Sequence, residues 1–135
     1  MLKLRLLEQG IWTVVAICDS RGNCQVRAFL DSLERDSLAD YEQLTALLVR
    51  TAASGPPRDE KRSRALADKI YELKTRGGIR VPYFYDQGHV VICTEAIRKP
   101  KNTELRAVVA RALAEHECYF AAKRSATLEF IGGEP

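Results

Sequence analysis

The stretch Tyr71-Glu72-Leu73-Lys74-Thr75-Arg76-Gly77-Gly78-Ile79-Arg80-Val81-Pro82-Tyr83-Phe84-Tyr85, continued by Val90-Val91-Ile92-Cys93 and then Ala96-Ile97-Arg98-Lys99-Pro100-Lys101, decides the fold. β-Branched and aromatic residues alternate with polar ones, and Arg76-Gly77-Gly78 and Asp86-Gln87-Gly88 supply turn chemistry. The stretch predicts three short strands, over about 69–75, 79–85 and 89–97, ending in a basic knot. Pro82 has no N–H to give to a ladder, which points to an edge position or a bulge. Between Lys74 and Lys101 stand six basic residues (Lys74, Arg76, Arg80, Arg98, Lys99, Lys101) and two acidic ones (Asp86, Glu95), a local excess larger than the +3 of the whole chain. A positive patch on a small sheet is the electrostatic form of a polyanion-binding surface.

Upstream, Ile11 to Cys18 reads as a strand closed by the turn residues Asp19-Ser20-Arg21-Gly22-Asn23. Whether Leu2 to Leu7 forms a separate strand is left open by its pattern. Val26, Phe29, Leu30 and Leu33 recur at helical spacing over about 25–34. A second helix, capped by Asp36 or Ser37, carries the stripe Leu38, Tyr41, Leu44, Leu47 or Leu48, and stops at Ser54-Gly55-Pro56-Pro57. The two helices are expected to pair as a hairpin. The charged run Arg58–Ala67 reads as a loop anchored by Leu66. Downstream, Asn102 or Thr103 caps a last helix over about 103–121, with Leu105, Val108 or Val109, Ala112, Leu113 and Cys118 as its inner stripe. The order is β-α-α-β-β-β-α. It implies an α+β domain over residues 1–122, a small antiparallel sheet with helices on one face and charges on the other face or the rim, and a loosely held tail over 123–135.

A chain of 135 residues, 46% hydrophobic and 29% charged, has the composition of one ordinary globular domain. Its four cysteines (Cys18, Cys24, Cys93, Cys118) form no CxxC pair and match no zinc spacing. With no secretory leader in Met1–Leu7 and no apolar run of about 20 residues, they are expected to be reduced thiols in a cytoplasmic protein without a membrane span. No phosphate-cradling glycine loop, HExxH or nucleophile elbow is present, and no metal or cofactor is expected.

The chemistry rests on basic and aromatic residues. Arg80 lies in mid-strand, Lys74 on the neighbouring strand, and Arg98 and Lys99 close the third. Antiparallel strands lie about 5 Å apart, so these heads can converge on a phosphate and stabilise charge developing at phosphorus. Arg76 and Lys101 flank them. The bland alternative is a solvated charge, or a pair with Glu72 or Glu95. Tyr83 and Tyr85 share a strand face and could stack on unpaired bases or be half-buried sheet residues. His89, beside a turn, is a candidate for proton transfer or a plain surface residue. His116 with Cys118 is too small a set to argue a metal site.

The helix hairpin, then Ile-Tyr-Glu-Leu-Lys (70–74), Gly-Ile-Arg-Val-Pro-Tyr-Phe-Tyr (78–85) and Ala-Ile-Arg-Lys-Pro-Lys-Asn-Thr-Glu-Leu (96–105), in this order, resembles the RelE/HigB toxin superfamily, in its phage-derived HigB-like branch. The resemblance spans about residues 12–121. It implies a RelE-like fold and the toxin of a type II toxin–antitoxin pair, a metal-independent endoribonuclease that cuts mRNA on the ribosome and is neutralised by a helix-turn-helix antitoxin. A homodimer is compatible with it. The family's strand arginine falls on Arg80, its Glu-Leu-basic motif on Glu72, Leu73 and Lys74, and its paired basic residues on Arg98 and Lys99. The aromatic residue near the end of the final helix falls on Tyr119. The C-terminal His or Tyr acid/base of some members has no counterpart here. A non-catalytic binder of the same fold, acting on another target such as a topoisomerase, is the alternative.

Overall fold

A computed structural model describes residues 2–131. The chain runs β1 (Leu2–Gln9), β2 (Thr13–Cys18), α1 (Gln25–Asp36), α2 (Leu38–Ser54), β3 (Ser63–Ala67), β4 (Ile70–Lys74), β5 (Ile79–Asp86), β6 (Val90–Cys93), β7 (Ile97–Arg98), α3 (Asn102–Arg124) and β8 (Leu128–Ile131). The class is α+β, as expected, and compatible with a small RelE-like fold, with a strand order that differs in detail.

The sheet is mixed, not antiparallel throughout. Its order is β3-β4-β5-β6-β2-β1-β8, with β7 also paired to β5. The meander β3 to β6 is antiparallel, as is β1 with β2. The joins β2–β6 and β1–β8 are parallel. The connection explains this. From β2 the helix pair α1–α2 carries the chain across the sheet to its far edge, and the meander then works back until β6 meets β2.

Three sequence expectations change. The charged run 58–67 holds an edge strand, β3, whose exposed Arg64 and Ala65 hid its period. The third strand of the meander is broken into β6 and β7, with residues 94–96 looped out. The break accommodates Pro82 in an interior strand. Its carbonyl accepts the Thr94 N–H (2.9 Å), so its donorless nitrogen faces the gap and not an intact ladder. The expected tail is helix as far as Arg124, then β8 beside β1; residues 132–135 lie outside the described residues.

The helices do not share one face. One core joins α1 and α2 (Val26, Leu30, Leu33, Leu44, Leu47, Leu48) to Val14, Ala16, Leu73, Val81, Tyr83 and Val91. The alternate residues Leu4, Val15, Ile17, Ile70, Phe84 and Ile92 meet Ala112 and Tyr119 of α3 on the other face. The inner stripe of α3 is therefore Val108, Ala112, Tyr119 and Ala122, while Leu113 and Cys118 are exposed. Cys18, Cys24 and Cys93 are buried free thiols; burial pushes Cys18 and Cys93 up to about 12, which leaves them protonated at neutral pH.

Phe84 is the hub of the α3 face. Its ring meets Tyr119 edge-on with centroids 5.4 Å apart, and His116 at 4.9 Å. Phe84→Ala is expected to lower unfolding free energy by about 3–5 kcal/mol in chemical denaturation. Its half-exposed neighbour Tyr85, replaced by Ala, should cost about 1 kcal/mol.

Candidate anion-binding site

The tight Thr75–Gly78 turn fixes the register of β4 against β5, so that Lys74 stands directly across from Arg80. Cross-strand pairs of this kind place Cβ atoms about 5 Å apart on one face. The same register sets Glu72 across from Arg64 on β3 and diagonal to Arg80. Arg64 Nε donates to Glu72 Oε2 at 2.7 Å, and Arg80 Nη1 lies 3.6 Å from Glu72 Oε1. Glu72 is fully buried, and its Oε1 has no hydrogen bond. Two guanidinium groups thus neutralise a carboxylate that cannot reach water. The carboxylate in turn holds Arg80, whose side chain is 24% exposed, with its head at the surface. The partner proposed for Arg80 as the bland alternative is the one it has.

Arg98 pairs with Ile79 across β5–β7 and so leaves the sheet on the face opposite Arg80. It does not converge with Arg80. Its Nη1 donates to Asp40 Oδ2 of α2 at 2.6 Å, and Ser37 Oγ donates to the same oxygen at 2.9 Å. These bonds, that from Arg98 first, hold the Asp40 carboxyl below its ordinary range despite partial desolvation. Lys99 adopts a left-handed backbone (φ 42) while its N–H donates to Gly78 O at 2.8 Å. Its stem lies on Gly78, where a Cβ would come within 2.6 Å of Lys99 Cγ, and Gly78 itself has φ 88. Glycine is required there on both counts. Lys101 caps α3, its N–H donating to Glu104 Oε1 at 3.0 Å. Arg76 is exposed at the turn. Among the described residues, Lys74, Arg76, Lys99 and Lys101 have no ion-pair partner, in contrast to Arg80 and Arg98.

The aromatic and histidine candidates lie elsewhere. Tyr83 and Tyr85 are on the hairpin face, opposite Arg80. Tyr83 is buried, its hydroxyl 2.8 Å from Ser63 Oγ; burial pushes its pKa up to about 12, although the Ser63 hydrogen bond opposes the shift. Tyr85 is 50% exposed and stacks on Tyr71 with ring centroids 5.5 Å apart. It borders a cleft of about 430 Å³ with Asp68, Lys69, His116 and Phe120. His89 follows the far end of β5, about 20 Å from Arg80 at strand rise. It stacks on Trp12 at 4.5 Å. His116 sits against Phe84, about 13 Å of strand away from Arg80. The structure brings none of these to the Lys74–Arg80 row. Among the described residues, no group of three or more His, Cys, Asp or Glu side chains is placed to hold a metal ion, and no helix is long and apolar enough to cross a membrane.

Residues 28–117, more than half of the chain, match the family model "Phage derived protein Gp49-like (DUF891)". The chain belongs to the phage-derived Gp49-like family. That family is associated with toxin–antitoxin systems through RelE-like toxins. No curated protein shows significant similarity to the chain.

In this Gp49-like chain three supporting residues had no signal of their own in the sequence. Arg64 lay in a run read as loop, Asp40 in a helix read only for its apolar stripe, and Glu115 outside the stripe expected for α3. Glu115 is the most perturbed carboxyl: burial first, then the nearby Glu95 carboxylate, raise it to about 7, although Arg111 opposes them. Arg111 itself is bidentate on Glu95, at 2.9 and 3.1 Å.

Two outcomes follow. Glu72→Gln keeps the shape but removes the charge between two guanidiniums, and should lower stability by about 1–3 kcal/mol in denaturant titration. For Glu115 the folded value lies above the unfolded one. Its contribution is then fully present below about pH 4.5 and lost as pH rises through about 7. Glu115→Gln should therefore flatten the fall of thermal midpoint across that window.

Proposed function

We propose that this chain is the toxin of a type II toxin–antitoxin pair and cuts mRNA on the ribosome without a metal. One observation carries the reading: a guanidinium preoriented by a buried carboxylate, Arg80 on Glu72, stands beside Lys74 and near cations free of ion pairs. Membership of a toxin–antitoxin-associated family supports the toxin part. In the proposed reaction the 2′-hydroxyl gives its proton to water as its oxygen attacks the adjacent phosphorus, and the 5′-oxygen leaves and takes a proton from water, giving a cyclic phosphate and a free 5′-hydroxyl. Arg80 holds a non-bridging oxygen and takes up the charge that grows on it in the transition state. Lys74 and Lys99 lie close enough in the fold to assist, and Arg76 and Lys101 hold neighbouring phosphates. Arg98 acts at a distance in this scheme, fixing the β7 end to α2 through Asp40. The partners are ribosome-bound mRNA in the cytoplasm and a helix-turn-helix antitoxin.

A second reading, a non-catalytic toxin of the same fold with another target such as a topoisomerase, is favoured by one observation. Both histidines, Tyr83 and Tyr85 lie away from the Lys74–Arg80 row, and the carboxylate beside it, Glu72, is fully buried and held by two guanidiniums, so no histidine or tyrosine stands there to transfer a proton.

Primer extension on translating mRNA after a short pulse of expression separates the two. Discrete in-frame cuts are expected with the wild type, falling by about 100-fold or more with Arg80→Ala. Growth arrest without cuts would overturn the nuclease in favour of the binder.

A further inference from the structure

A cleft of about 390 Å³ opens between α2 and the β4–β5 turn, lined by Gln43, Ala46, Leu47, Arg50, Arg62, Lys74, Thr75 and Arg76. Of these, Arg50 and Arg62 come from parts of the chain that the Lys74–Arg80 row does not involve. No carboxylate lines the cleft, and its four cations have no ion-pair partner among the described residues. Among the described residues, the guanidiniums of Arg50 and Arg62 have no hydrogen bond apart from one of 3.3 Å from Arg62 Nη1 to Lys61 O. The frame around them is fixed, however. Gly77 N–H donates to Gln43 Oε1 at 3.0 Å, tying the turn to α2, and Lys74 N–H donates to Arg62 O at 2.7 Å. Leu47 and Thr75 are buried beneath. Four like charges held around one hollow repel one another unless an anion lies between them.

We propose that this cleft is a second phosphate subsite, which takes the sugar–phosphate backbone of single-stranded RNA through Arg50 and Arg62. Lys74 lines the cleft and stands across from Arg80, but Arg80 leaves the sheet on the face opposite α2, so a strand engaged at Arg80 reaches the cleft by turning round the end of β4. The inference rests on the RNA reading above and extends it to residues that reading does not use. Backbone contacts of this kind carry no base specificity and set affinity and register.

The test is fluorescence anisotropy of a labelled single-stranded oligoribonucleotide against the whole protein over a salt series. Each phosphate contact on single-stranded nucleic acid contributes about 0.7 to the slope of log affinity against log salt. The R50A/R62A double variant should reduce that slope by about 1.4 and weaken low-salt binding by about tenfold. Its thermal midpoint should stay put, since neither guanidinium has an ion pair. A R21A/R35A control of equal net charge should match the wild type. Wild-type binding that R50A/R62A leaves unchanged would overturn the cleft and leave the RNA reading standing. If in that case a poly-glutamate peptide loses its binding with the same variant, the occupant is an acidic peptide. A wild type that binds no RNA at low salt would overturn both.

Discussion

A sheet covered on both faces leaves little room for charge, and that constraint arranges this molecule. The α1–α2 pair takes one face and α3 the other, so the strands of the meander alternate between two apolar cores. Ionised side chains are expelled to the edges, the turns and the ends of the strands, where water or a partner can reach them. The β4–β5 turn is such an end. It gathers charge from β4 and β5, from the segment after β7, and from α2, which ends up beside it because it carries the chain to the far edge. The positive surface is a consequence of the layering as much as of the local sequence.

Glu72 is the exception, and its burial is informative. A carboxylate out of water is tolerable only with compensating positive charge and hydrogen bonds. Arg64 and Arg80 supply the charge, but Oε1 stays without a hydrogen bond. A leucine at this position would satisfy the fold at lower desolvation cost. What the carboxylate adds is orientation: it holds a guanidinium in mid-strand with its head at the surface, at the cost of an imperfectly satisfied oxygen. Strain of this sort, kept where packing alone would not ask for it, is the pattern expected where orientation serves a ligand.

How much could be read in advance follows from the range of the interactions. The two helices of the hairpin and the turn at Gly77-Gly78 were legible because their signals are local: periodicity, a cap, and a glycine, Gly78, where the backbone is left-handed. The Lys74–Arg80 neighbourhood was legible because a tight turn transmits register. Edge strands escaped. β3 carries exposed Arg64 and Ala65, and β8 pairs with β1 more than a hundred residues away, so neither has a strong pattern of its own. The inner stripe of α3 was legible at Val108 and Ala112, but Leu113 and Cys118 look more apolar than Tyr119 and Ala122, which in fact continue it against the sheet. The partition of basic residues was hidden for the same reason. Only the fold tells that Arg98 points away from Arg80 and is spoken for by Asp40, and that Arg50 and Arg62, from elements read for other purposes, join Lys74.

That partition bears on mechanism. Paired and unpaired cations do different work on a phosphate. An unpaired lysine or arginine at the surface is well hydrated and mobile. It draws a polyanion from a distance and releases counterions when it arrives, but it loses rotamer freedom on contact and favours ground and transition states about equally. A guanidinium already held by a buried carboxylate has lost that freedom beforehand, and part of its charge is compensated, so it attracts less from afar. Its advantage lies in direction, which matters when charge moves onto a particular oxygen during bond breaking. Arg80 fits the second role. Arg50, Arg62, Lys74 and Arg76 fit the first. A surface with both, a directed cation at the end of a capture field, suits a strand of nucleic acid better than a small anion, because only a chain of phosphates can satisfy the field and the fixed point at once.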